Sequence, residues 1–107
     1  MTAVVEYLDA AGRSPFGVWF DDLDVEAAIK VRRAIARIEA GNFGDAKPVG
    51  KGVVERRIDA GPGFRIYFGR VGGELVILLA GGTKKRQQQD IEAAQRYWAD
   101  YKHRKRG

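Results

Sequence analysis

Between residues 53 and 80 three strand-like runs follow one another with only short glycine turns between them. They are VVERRID at 53–59, FRIYFGRV at 64–71 and ELVILLA at 74–80, and the breaks are AGPG at 60–63 and VGG at 71–73. Turns this short join antiparallel neighbours, because a parallel crossover needs many more residues. The third run is almost wholly apolar, so it belongs in the centre of the sheet, covered on at least one face. The rest of the chain must supply that cover.

Residues 3–8, AVVEYL, read as a further strand. Ser14 can cap a helix and Pro15 suits its first turn. Phe16, Trp19, Phe20 and Leu23 then recur at helical spacing, which predicts a short helix over 15–22. Asp21, Asp22 and Asp24 put negative charge at the start of a second helix, where its dipole favours it. Val25, Ala28, Val31, Ile35 and Ile38 form one apolar stripe, and Gly41 stands where a left-handed stop is expected. Residues 42–52 read as a connection containing Pro48. From about Thr83 a last helix carries Ile91, Ala94, Trp98 and Tyr101 on one stripe. The order β-α-α-β-β-β-α predicts an α+β fold: a small, mostly antiparallel sheet with helices packed on one face and the other face open. The 107 residues are expected to form one domain, with the basic tail fraying from about residue 102. That tail, KHRKRG, suits either contact with nucleic acid or plain solvation.

The composition is 45% hydrophobic and 31% charged, with a net charge of +5, which favours an acidic partner. The absence of cysteine excludes disulfides and thiolate metal sites and fits a cytoplasmic chain. MTAVVEYLDA lacks the order of a signal peptide, and LVILLA at 75–80 is too short to span a bilayer. No metal or cofactor is expected, so any chemistry must run on cations. Arg56, Arg57, Arg65 and Arg70 lie on the hairpin of 53–71. Strand arginines often sit on a solvated face beside carboxylates such as Glu55 and Asp59, but this many suit phosphate. Lys84, Lys85 and Arg86 stand at a strand-to-helix junction, where backbone amides and three cations make a phosphate site, or else a solvated charge run. Tyr7 and Tyr67 can stack a base, although strand tyrosines are more often packing. His103 is the one histidine and lies in the tail. Whether Arg57 and Arg65 share a face depends on the register set by AGPG, which the residues alone leave open.

The stretch 37–98, RIEAGNFGDAKPVGKGVVERRIDAGPGFRIYFGRVGGELVILLAGGTKKRQQQDIEAAQRYW, resembles the addiction-module killer proteins, a HigB-like branch of the RelE/ParE toxin superfamily. The resemblance rests on GNFGD followed by KPVG, on the hairpin ERRIDAGPGFRIYF, and on the strand exit GGTK. It implies the toxin of a type II toxin–antitoxin pair with a RelE-like fold. Its partner would be a cognate antitoxin, a helix-turn-helix DNA-binding protein. RelE-type members cleave mRNA on the ribosome without a metal, directing the 2′-hydroxyl onto the adjacent phosphate. By motif, the catalytic candidates are Arg65, Arg57, Lys84 and Lys85. Arg56, Lys51, Arg86 and Tyr67 are the candidate RNA contacts. Glu55 stands where RelE has a lysine, and Ile91 falls near the place of RelE's C-terminal tyrosine. Those departures keep open a second reading, a ParE-like inhibitor of DNA gyrase that is not an enzyme. A third is a nucleic-acid-binding module without toxicity.

Overall fold

The computed structural model describes residues 1–106, with side chains described as far as Lys105. Strand β1 (Ala3–Glu6) leads to helices α1 (Pro15–Asp21) and α2 (Val25–Glu39), then to strands β2 (Ala46–Pro48), β3 (Val54–Ile58), β4 (Phe64–Val71) and β5 (Leu75–Thr83). One 3-10 turn, Lys84–Arg86, precedes the long helix α3 (Gln87–Arg106). The sheet order is β1-β5-β4-β3-β2, with β1 parallel to β5 and every other pair antiparallel. The α+β class holds, and the arrangement is consistent with a RelE-like fold.

Local chemistry sets the helix starts. Ser14 Oγ accepts a hydrogen bond from the Gly17 amide at 2.8 Å, and Asp24 Oδ1 accepts one from Ala27 at 2.8 Å, each satisfying an amide the helix cannot pair itself. Helix α2 buries Ala27, Val31, Ala34 and Ile38, while Val25, expected on the stripe, is exposed.

The expectation of helices on one face only is corrected. Val31, Ala34 and Ile38 of α2, with Phe16 of α1, pack on Ile58, Ile66, Phe68, Val76 and Leu78. Ala94 and Trp98 of α3 pack on the opposite face, against Tyr7, Val53, Tyr67, Ile77, Leu79 and Ala80. Side chains alternate across a strand, so a strand apolar at nearly every position needs cover on both sides. Strand β5 meets that condition: Val76 and Leu78 point to one helix layer, Ile77 and Leu79 to the other.

Two strand boundaries also differ from expectation. The segment Ala46–Pro48, read as connection, forms an edge strand against β3. Strand β5 continues through Gly81 and Gly82, which pair with Ile66 and Arg65. A Cβ at Gly81 would lie 2.1 Å from Trp19, and one at Gly82 would lie 1.9 Å from Asp90 Oδ2. The glycines therefore do not end the strand. They let one large side chain press on each face of it.

Helix α3 runs to Arg106, and its far half is tied to the residues that follow β1. Tyr7 Oη donates to Asp100 Oδ2 at 2.6 Å, Arg104 Nε donates to the same oxygen at 3.0 Å, and Arg104 also reaches the Leu8 carbonyl. The Tyr7 hydrogen bond, with Arg104, holds the Asp100 carboxyl below its ordinary value of 3.8. A carboxyl depressed in the folded state stabilises that state above its ordinary pKa, and the contribution is lost as pH falls through the depressed value. An NMR titration should therefore place the Asp100 midpoint below 3.8 in the native chain and move it upward in Tyr7→Phe. A native midpoint at or above the ordinary value would remove the clasp.

Candidate functional site

The register of β3 against β4 decides which arginines meet. Glu55 pairs with Tyr67 and Arg57 with Arg65, so all four side chains share the face that α3 covers. Arg56 pairs with Ile66 and belongs to the α2 face. There it is buried, hydrogen-bonds the Arg57 carbonyl, and has its pKa lowered by burial and then by Arg37. The expected arginine cluster thus splits between two faces. Arg70 also leaves it, with its guanidinium 4.2 Å from the centre of the Phe43 ring.

At the centre of the site is an ion pair out of solvent. Glu55 is 1% exposed and Arg65 5% exposed, with Arg65 Nε 3.6 Å from Glu55 Oε2. Gln87, the first residue of α3, donates from Nε2 to the same carboxylate oxygen at 2.9 Å. Lys47 Nζ approaches Glu55 Oε1 at 4.0 Å. Arg65 Nη1 donates to the Gly63 carbonyl at 2.8 Å. Nη1 is therefore hydrogen-bonded, Nε faces the carboxylate as an ion pair without a hydrogen bond, and no hydrogen bond from Nη2 is found among the described residues. The Glu55 pairing and the β3–β4 turn fix the arginine's orientation with one donor nitrogen to spare.

Exposed cations stand beside it. Gly63 lies between Arg65 and Lys84: a Cβ built there would be 3.2 Å from Arg65 Nη1 and 3.5 Å from Lys84 Cβ. Lys84, Lys85 and Arg86 are all exposed on the 3-10 turn. The Arg57 side chain is 47% exposed and has its Nε 3.6 Å from Asp45 Oδ2. Asp90, in the first turn of α3, lies against Gly82, the cross-strand partner of Arg65. Burial raises the Asp90 pKa, and the charge of Arg86 opposes the rise.

Arg65, Arg57 and Lys84 are thus brought together, with Lys85 and Arg86 following on the same turn. Tyr67 lies beneath them at 0% exposure, and so has no free ring face on which a base could stack. Its hydroxyl has no hydrogen-bond partner among the described residues, and burial followed by the Glu55 charge pushes its pKa far above the ordinary phenol value. Lys51 stands apart, in the β2–β3 turn at the other end of β3, with a φ of 55°. Sequence reasoning missed Gln87 and Asp90, and took Glu55 as a carboxylate beside the arginines on a solvated face and as a departure from a family pattern. The available signal was the i, i+3 spacing of Gln87 and Asp90, which puts both on one helical face next to the paired glycines.

The family described as phage-derived Gp49-like proteins (DUF891) matches residues 18–99, a stretch that holds every residue of this cluster. An uncharacterized protein of Haemophilus influenzae is 45% identical over 80 residues, which cover 74% of this chain and 81% of that protein. On these matches, and with all of the sheet except β1 inside the matched stretch, the chain belongs to the Gp49-like family of phage-derived proteins, a family associated with the toxins of toxin–antitoxin pairs.

Proposed function

We propose that this chain is the toxin of a type II toxin–antitoxin pair and a metal-independent endoribonuclease acting on ribosome-bound mRNA, in the manner of the HigB-like branch of the RelE/ParE superfamily. The observation that carries the reading is the buried Glu55–Arg65 pair beside exposed Arg57 and Lys84. A pinned guanidinium with one free nitrogen suits a phosphate oxygen, and preorganised cations stabilise the extra charge of a five-coordinate phosphorus without reorganising.

In the proposed reaction the RNA 2′-oxygen attacks the adjacent phosphorus and the bond from phosphorus to the 5′-oxygen breaks. The products are a 2′,3′-cyclic phosphate and a 5′-hydroxyl. Arg65 Nη2 and Arg57 hold the non-bridging oxygens. Lys84 or Lys85 donates a proton to the leaving 5′-oxygen. Asp90 takes the proton of the 2′-hydroxyl. Its raised pKa makes it a better acceptor than an ordinary aspartate, and it makes no ion pair among the described residues. Glu55 is too enclosed to touch RNA and acts as a positioning residue for Arg65. The antitoxin would neutralise this basic rim with a segment carrying Asp or Glu.

Primer extension on cellular mRNA after brief induction tests the reading. Discrete new 5′ ends within codons are expected. An SOS response with intact mRNA would overturn it in favour of a gyrase-directed, non-enzymatic toxin.

A further inference from the structure

The far end of α3 carries a second cationic surface, separate from the Arg65 site. A groove of about 600 Å³ lies between the β4–β5 turn and the last turns of the helix, with Arg70, Val71, Trp98, Tyr101, Lys102 and Lys105 in its lining. Lys102 and Lys105 are its free cations, since the Arg70 guanidinium turns to Phe43, and no carboxylate lines it. Trp98 and Tyr101 stack nearly parallel, with ring centroids 5.4 Å apart and planes 6° apart. Lys102 Nζ sits 5.5 Å from the centre of the Trp98 ring, and Lys105 Nζ 5.7 Å from that of Tyr101. These ammonium groups rest on aromatic faces instead of on acids. The nearby Asp100 is already taken by Tyr7 and Arg104. A solvated charge run would not need that arrangement. Trp98 is buried but Tyr101 is partly exposed, and cations beside an accessible ring are what a single strand of nucleic acid uses, with phosphates on the lysines and a base against the ring.

The groove lies about 22 Å along the helix from Gln87, given the rise per residue. Between the two ends Lys51 and Arg96 line a smaller hollow with Glu92 and Gln95. Cations therefore recur along α3 from the Arg65 site to the groove.

We infer that this groove is a second contact for the RNA strand being cut, seating phosphates of a flanking segment on Lys102 and Lys105. The inference rests on the ribonuclease reading for the identity of the strand, but its test reads binding alone. The probes are fluorescein-labelled, 2′-O-methylated RNAs of about 4 and about 16 nucleotides, which span the usual single-strand site sizes and cannot be cut by 2′-oxygen attack. The full chain should bind the longer probe more tightly, with a clear salt dependence. Lys102→Gln/Lys105→Gln, both exposed, should weaken the longer probe about tenfold, lower the salt slope by about 1.4, and leave the shorter probe unchanged. A matched change on exposed α2 residues, Lys30→Gln/Arg33→Gln, should have no effect.

Equal affinity for both probes would overturn the inference. So would an unchanged affinity in the double variant, an equal loss in the α2 control, or binding of poly-glutamate in place of RNA. Length-dependent binding by a chain that leaves mRNA intact in cells would sink the nuclease and spare the groove. Cleavage unaffected by a silent groove would do the reverse.

Discussion

Arg65→Lys should leave the chain folded and lower single-turnover cleavage about 10²–10³-fold, the usual cost of losing one preorganised donor at a developing anion. Lysine keeps a positive charge beside Glu55, but it cannot at once face that carboxylate, bond the Gly63 carbonyl and offer a free donor to phosphate. Arg65→Ala is a different experiment. It leaves Glu55, 1% exposed, as a buried charge without its arginine, a change that costs about 3–5 kcal/mol. Loss of toxicity in Arg65→Ala therefore mixes unfolding with chemistry. The two separate in Glu55→Gln/Arg65→Ala, which removes the stranded charge. Thermal denaturation should show that this double variant recovers much of the lost stability, while growth inhibition stays abolished. A folded Arg65→Lys protein that cuts at the native rate would take Arg65 out of the reaction.

Lys84→Ala/Lys85→Ala should be nearly silent in stability and severe in rate. Both side chains are exposed and neither makes an ion pair among the described residues, so unfolding should shift by no more than about 0.5 kcal/mol. Loss of a general acid slows a reaction about 10²–10⁴-fold. Single-turnover cleavage, with the chain in saturating excess over the ribosome–message complex, reads the chemical step directly, and circular dichroism checks the fold. If the double variant cuts at the native rate, the proton comes from elsewhere. The buried Tyr67, with its pKa driven far upward, is then a poor substitute, and Asp90 in its protonated form becomes the group to change. The contrast between the two predictions is itself diagnostic. On the proposed reading Arg65 would serve both fold and site because it is buried, and the lysines only the site because they are exposed.

Elements governed by near neighbours in the chain were legible beforehand. Ser14 caps the helix it was expected to cap, Asp24 stands at the start of α2 where its charge was expected, the hairpin around AGPG forms, and α3 buries Ala94 and Trp98 from its expected stripe. The edge strand at Ala46–Pro48 was not legible, because three residues with a proline carry no alternation to read. Gly81 and Gly82 looked like a strand end. They are strand interior because Trp19 and Asp90, distant in sequence, press on them from either side. The second helix layer could have been deduced from LVILLA itself, since alternation sends neighbouring side chains to opposite faces.

The site divides along the same line. Residue type and spacing alone determined that a cationic hairpin would be followed by a cationic strand exit, a pattern that favours an anionic partner. Only the tertiary structure decided which cations stand together. Register across the β3–β4 turn put Arg57 with Arg65 and sent Arg56 to the other side. Docking of α3 brought Gln87 and Asp90 onto the β3–β5 face and enclosed Glu55. A single-residue slip in that register would exchange the faces of every side chain on the strand, and the local sequence does not reveal which of the two it adopts.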